Sequence, residues 1–500
     1  MLEIKDLTIS IEDRYLIKNL NLILNSGDKV AIIGEEGNGK STLLKAILGG
    51  CSYANITGSI NYKGNSIGYL EQSISYEYLK RKVYDFLFID DSTYYEKLNI
   101  LYKKLDLVGL DDDILDRVID TLSGGEKVKI SILKLLLFDY DIYFLDEPTN
   151  DLDIDTLEWL EEFINNTNKP ILYVSHDETL LSNTANTILH IEQLKKKSEC
   201  KYTLVKCDYD TYVNNRIRSI EKQTQIAKSE KRETIKQKDK LQRVMQTVEY
   251  QQNTISRAEP FVAAALKRKM HSLKAQEKRL EEKELTEVPD VEEAIYFNFD
   301  DVSIPKTKGI ISIDYPMLVV DNKVLATNIK LDIIGNVHLC IIGKNGVGKS
   351  TLIKKIYEEL KSREDIKVGY MPQNYDDIFD NYKSVIDYIC PSGYKDDITR
   401  ARTFLGNMNF TKDEMTGSIN DLSNGTKAKL FLCKLVLDKC NVLILDEPTR
   451  NLSPLSNPVI RKVLKNFKGT IISVSHDRKY IDEVIDSLYT LNSNGLVKEM

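Results

Sequence analysis

Five hundred residues, 42% of them hydrophobic, are enough for two domains of about 200 residues, each with its own core, and a further segment. No apolar run approaches the roughly 20 residues of a membrane helix, and the opening MLEIKDLTIS has no charged-then-apolar leader, so a cytoplasmic protein without membrane contact is expected. The net charge of −7 argues against a polyanion partner, but Thr211 to Thr286 holds 18 Lys/Arg against 10 Asp/Glu, a local +8 that leaves −15 elsewhere. Seven cysteines, odd in number and without CxxC spacing, read as reduced thiols rather than a disulfide or metal framework.

In chain order, the apolar runs LTISI and NLNLIL precede SGDKVAIIG, a strand running into the glycine loop GEEGNGKS (34–41), and the helix-like STLLKAIL follows. LSGGE (122–126), FLDEPT (144–149) and VSHD (174–177) come next. After the middle segment the grammar repeats: NIKLDIIGNVHLCIIG, then GKNGVGKS (343–350), STLIKKIY, LSNGT (422–426), ILDEPT (444–449) and VSHD (474–477). Ser123/Ser423, Glu147/Glu447 and His176/His476 recur at an offset of 300. Strand, glycine loop, helix and a later strand ending in Asp-Glu predict a parallel α/β nucleotide domain in each half, over 1–208 and 291–500.

The middle, 209–290, is poor in Gly and Pro and has apolar residues at helical spacing. Ile217, Ile220, Ala227, Leu241, Val244 and Val248 form one stripe; Leu266, Leu273 and Leu280, with Val262 and Met270, form another. The stripes predict an antiparallel helical hairpin that breaks between Tyr250 and Pro260, with a first helix of about 38 residues, on the order of 57 Å long. Met245, Val248, Tyr250, Ile255, Arg257 and Phe261 at the tip suit either stacking on exposed bases or packing of the turn itself.

The glycines of each loop (Gly34, Gly37 and Gly39; Gly343, Gly346 and Gly348) let backbone N–H groups close around phosphate at a helix N-terminus. Lys40 and Lys349 reach the outer phosphates, Ser41 and Ser350 suit Mg2+, and Thr42 and Thr351 follow in the first helical turn. Asp146 and Asp446 end apolar strands, where a carboxylate holds Mg2+ through water. Glu147 and Glu447 are candidate catalytic bases, against the plainer reading of helix-start carboxylates. His176 and His476 follow the strands ILYV and IISV and suit the terminal phosphate; His190, His271 and His338 carry no functional expectation.

LSGGE combined with the phosphate loops, DEPT and SHD resembles the ATP-binding-cassette (ABC) ATPases, over more than 400 residues. The resemblance implies ATP and Mg2+ as ligands and lid glutamines at Gln72 and Gln373 that also face the metal. It implies head-to-tail cassettes, with Ser123, Gly124 and Gly125 completing the Lys349 site and Ser423 and Gly425 completing the Lys40 site. This chain departs from the pattern at Asn424, at Thr426 and in RNLS (450–453), where the first half has NDLD (150–153). Both altered elements are expected to face the first cassette's ATP, so that the Lys40 site binds ATP but turns it over slowly while the Lys349 site hydrolyses normally. Ile11 and Val320, with Tyr15 nearby, stand where the family has an adenine-stacking aromatic residue.

Two cassettes joined by a long basic helical linker resemble the ABC-F translation factors, with CDYDTYV (207–213) as the linker entry. That likeness implies a monomer with intramolecular cassette pairing. Its partners would be the 70S ribosome (50S subunit, 23S rRNA) and the peptidyl-site tRNA, met through 209–290 from the tRNA exit site. Gln72 to Ser123 spans 51 residues and Gln373 to Ser423 spans 50, so the arm that housekeeping members insert is absent, as in the members that protect against lincosamides, streptogramin A and pleuromutilins. With 24 residues after His476, no long C-terminal extension is expected. A general factor for stalled ribosomes and, further off, the tandem ATPase of a sugar importer are the alternatives. The iron–sulfur ribosome-recycling ATPases are not indicated by the cysteines.

Overall fold

The computed structural model describes the chain except residues 13, 63, 89–93, 139, 150–151, 195–198, 255–259, 282–298, 300–301, 321–322, 380–381, 383, 409 and 500. Met1–Asp210 and Glu292–Met500 form one compact unit and Thr211–Val291 a second. The fold is α/β, with two nucleotide-type domains in the first unit and a helical pair in the second.

Each domain is built on a six-stranded sheet of the same order. In the first, Ile67–Leu70, Ile142–Asp146, Ile171–Val174, Lys29–Ile33, Thr187–Leu194 and Glu199–Val205 lie side by side, parallel except for the last pair. In the second the order is Val368–Met371, Val442–Asp446, Thr470–Val474, His338–Ile342, Ser487–Asn492 and Gly495–Lys498, again antiparallel only at the end. IYFLD and VLILD are buried at every position, as parallel strands covered on both faces require. An antiparallel layer (Leu2–Ile11, Arg14–Leu24 and Asn55–Asn61; Gly309–Val320 with Lys323–Ile334) packs on each sheet around the helix that follows the phosphate loop. Both loops therefore sit at the carboxyl ends of central strands, where α/β sheets bind ligands.

The two domains are joined by ion pairs, one buried and one partly buried, related by the same 300-residue offset and opposite in polarity. Arg461 meets Glu178, the side chains being only 2% and 5% exposed, and also donates to Glu483. Arg478 meets Glu161. Like halves paired together would set Glu161 against Glu178, or Arg461 against Arg478, so this contact favours one half against the other.

In the second unit the first helix is longer than the spacing predicts: Tyr209–Thr254, 46 residues and on the order of 69 Å. Gln251, Gln252 and Asn253 do not end it, since none removes a backbone donor, and Thr254 returns its hydroxyl to the Tyr250 carbonyl. Pro260 begins the second helix, Pro260–Glu281. Leu241, Val248 and Leu273 are the buried seam, flanked by Val244, Met245, Leu266, Met270 and Leu280, whereas Ile217, assigned to the same stripe, is exposed. At the turn Val248 and Met245 pack inward, but Tyr250 is 70% and Phe261 90% exposed. Ile255, Arg257 and the far end of the predicted linker lie outside the described residues. Among the described residues no helix is long and apolar enough to cross a membrane, and all seven cysteines are free thiols.

Candidate nucleotide sites

Gly39 and Gly348 cap the loop helices Lys40–Ile47 and Lys349–Leu360 with φ of 91° and 100°, a left-handed conformation that favours glycine. At Gly34 and Gly343 an added Cβ would lie 2.3 and 2.4 Å from the carbonyl oxygens of Ile191 and Leu491, so only glycine lets the loop pass its sheet. Lys40 Nζ donates to the carbonyls of Gly34 and Glu35 at 2.8 and 3.0 Å; Lys349 repeats the contact to Gly343 and Lys344 at 2.7 and 3.1 Å. Both ammonium groups are thus held in the mouths of their loops.

The second site is composite. Gly346, Gly348, Lys349, Ser350, Thr351, Gln373, Asp446, Glu447 and His476 line one cavity of about 450 Å3 together with Ser123, Gly124 and Gly125 from the other half. Burial depresses the Lys349 ammonium, opposed by Glu447, Asp446 and, from the first half, Asp153. Burial raises Asp446, while Ser350 and Lys349 pull it down; its Oδ1 is buried without a hydrogen-bond partner. Glu447 is pushed up to about 7 by burial and by Asp446. Its Oε2 accepts from Ser475 Oγ and from the His476 N–H, both at 3.3 Å.

At the first site Ser41 Oγ donates to Asp146 Oδ1 at 2.9 Å and Tyr69 donates to Oδ2 at 3.3 Å. Thr42 sits in the first turn of the loop helix. Gln72 Nε2 lies 3.0 Å from one oxygen of Glu147 and His176 Nε2 lies 3.3 Å from the other, so three predicted residues form one cluster. The His176 ring also meets the Leu452 carbonyl at 2.9 Å, which ties it to the second half. Glu147 and Glu447 both have positive φ, 50° and 54°, at the strand exits, a strain typical of functional positions.

The signature segments start helices Gly124–Leu137 and Asn424–Leu437. Ser123 caps the first in a capping box: Glu126 accepts the Ser123 N–H at 2.7 Å and pairs with Arg117 at 2.8 Å. Ser423 caps the second through the Thr426 N–H at 3.2 Å, with no acidic residue in the first turn. Gly425 and Lys429 meet the first loop directly: the Gly425 N–H donates to Glu36, and Lys429 one turn on pairs with Glu35, while the Ser423 hydroxyl is engaged with Thr426.

One expectation needs correction. The RNLS loop does not lie wholly against the first half's nucleotide position. Arg450 lines the cavity of its own Lys349 site, where its charge acts on Asp446 and Glu447, while Leu452 and Asn451 face the first half and Gly425. The two carboxylates at the strand end attract the guanidinium, and the turn bringing Arg450 N–H to the Glu447 carbonyl folds it back. Asn150 and Asp151 of the matching loop lie outside the described residues. Leu325, with Leu152, Leu157 and Val474, supplies the apolar lining of the cavity, to which Val320 does not contribute. Glu35, Glu36 and Lys429 were not singled out from the sequence, although two acids inside a phosphate loop, against Lys344 and Asn345 in its repeat, are a readable signal.

Two glycine phosphate loops, each facing a signature helix of the other half, define a tandem ABC ATPase. The ABC transporter family profile matches residues 17–150 and 326–450, more than half of the chain. The chain is 29% identical to the ATP-binding protein YdiF of Bacillus subtilis, over 99% of this chain and 80% of that protein. It is 26% identical to ABC transporter F family member 2 of Arabidopsis thaliana, over 99% and 77%. Among solved structures it shares the fold of an archaeal ribosome recycling factor, crystallised with a ribosomal stalk protein, at a TM-score of 0.58 and 19% identity over 96% and 88% of the two chains. The chain belongs to the ABC transporter family, as a tandem ATPase that hydrolyses ATP, and its full-length likeness lies with the F branch.

Proposed function

We propose that this protein is an ABC-F ATPase that binds the bacterial ribosome at the tRNA exit site when ATP holds its cassettes together. In that state residues 209–290 extend toward the peptidyl-transferase centre, and hydrolysis drives release. The observation that carries this reading is the basic helical pair placed between two cassettes, with Tyr250 and Phe261 exposed at its turn. Exposed aromatic side chains at the end of a Lys/Arg-rich rod suit stacking on RNA bases, and the basic faces suit phosphate contacts that weaken as salt rises. The likeness to a factor that carries ribosome recycling in its description adds support. The missing arm between Gln72 and Ser123 favours protection of the ribosome against lincosamide, streptogramin A and pleuromutilin drugs.

In chemical terms, Lys349 neutralises phosphate charge, and Ser123 with the backbone of Gly124 and Gly125 closes the site from the other cassette. Glu447 orients or deprotonates the attacking water, and His476 positions it from beside Glu447. Mg2+ fits the donors present. Ser350 and Asp446, with its buried Oδ1 lacking a partner, and Gln373 are hard oxygen ligands on one wall; Ser41, Asp146 and Gln72 match them at the first site. Bound there, Mg2+ would supply charge neutralisation to the phosphates. The Lys40 site contributes less to turnover, because its signature has lost a glycine and its first-turn acid.

The reading is tested by sedimenting a Glu147→Gln/Glu447→Gln variant with 70S ribosomes and ATP. The expected result is co-pelleting that is lost with ADP and reduced by Tyr250→Ala/Phe261→Ala; a protein that partitions only with membranes contradicts it. Growth of a susceptible bacterium on drugs that target the 50S subunit tests the resistance reading. Inhibition unchanged across the panel favours the general translation role.

A further inference from the structure

The two composite sites part at one loop position. In the second site Asn345 and Gly346 stand across an open cavity from Ser123, Gly124 and Gly125. In the first, the residue matching Asn345 is Glu36, and its carboxylate accepts the backbone N–H of Gly425 at the start of the opposing signature helix. Glu35 beside it pairs with Lys429 on that helix, which fixes the loop against the second cassette.

The reason lies in the helix. A helix N-terminus carries unpaired N–H groups and a partial positive charge, and it stabilises an anion placed there. The first signature helix supplies its own anion, Glu126. The second has Thr426 at that position and no acid in its first turn, and the missing negative charge comes from the other cassette as Glu36. A terminal phosphate lying between loop and signature would draw on the same N–H group and meet the carboxylate as a like charge.

We propose that the first site closes around a nucleoside diphosphate, with the Glu36 carboxylate standing at the signature helix of the second cassette where a terminal phosphate would otherwise sit. This rests on reading the Lys40 loop as a nucleotide site. The diphosphate is available as the product of hydrolysis at the other site. Asn345, uncharged, leaves the second site open to the triphosphate.

The test uses the full chain with Lys349→Ala to silence the second site. It measures equilibrium binding of fluorescent ADP and of a fluorescent non-hydrolysable ATP analogue, both with Mg2+. The expected result is a diphosphate preference of about tenfold, the size of one unfavourable charge contact. Glu36→Asn, which copies Asn345, and Glu36→Gln should both abolish it by tightening the analogue while ADP stays within about twofold. A preference unchanged by either substitution overturns the proposal alone. Failure of both nucleotides to bind any of these proteins, while Lys40→Ala with Lys349 intact still binds, overturns the reading of the first site and the proposal with it.

Discussion

Where the Lys349 site brings Asn345, Arg450 and an open cavity to LSGGE, the Lys40 site brings Glu35 and Glu36 to LSNGT and meets it directly. The backbones are repeats of one another, down to the positive φ of the two strand-end glutamates and the glycine caps of the loop helices. The divergence is in charge. At the first site the loop is acidic and its partner Lys429 is basic; at the second, Lys344 and Lys129 line one cleft. Duplication kept the frame that holds phosphate and let the contacts across the interface drift apart. One site is held by protein groups, while the other is left for nucleotide to bridge.

The ion pairs between the domains test how far the two halves are committed to each other. Glu178→Arg removes the partner of Arg461 and faces it with a like charge, an expected loss of about 3–5 kcal/mol in thermal or denaturant unfolding. Adding Arg461→Glu should recover about half, because the swapped residues then face Lys479 and Glu483. No recovery would mean that the polarity of the contact is irrelevant to pairing. Smaller effects separate the two loops. Glu35→Lys, which copies Lys344, should lower stability of the nucleotide-free protein by about 1–2 kcal/mol through Lys429, whereas Lys344→Glu, in a cleft where Lys129 already pairs with Asp153 and where Glu126 and Asp155 add negative charge, should not raise it. No loss from Glu35→Lys would remove the charge contrast between the sites. Smallest is Arg450→Asn, which copies the first half; about three- to tenfold weaker ATP binding at the Lys349 site is expected, with the first site unchanged.

Much of this was legible because phosphate loops, strand-end acids and signature helices are local patterns whose spacing dictates their geometry. Gln72, Glu147 and His176 meet although they are far apart in sequence, since parallel strands end at one edge of the sheet. The seam of the helical pair followed from its spacing, but the helix end did not. Gln, Asn and Thr permit a helix as readily as a turn, and only Pro260 forces a boundary. The orientation of Arg450 was misread because the loop was assigned to one side as a whole, while its first residue answers to the charges of its own strand end. The contacts of Glu36, Arg461 and Glu178 depend on how the two halves meet, and no local pattern carries that information.

The inequality of the two sites is tested most directly by steady-state phosphate release from Glu447→Gln and Glu147→Gln, each as the intact chain. Loss of a positioned base is worth about 10²–10⁴ in rate, so Glu447→Gln should remove nearly all turnover while Glu147→Gln stays within about threefold of the unmodified protein. Equal losses in the two variants would contradict the assignment of hydrolysis to the Lys349 site.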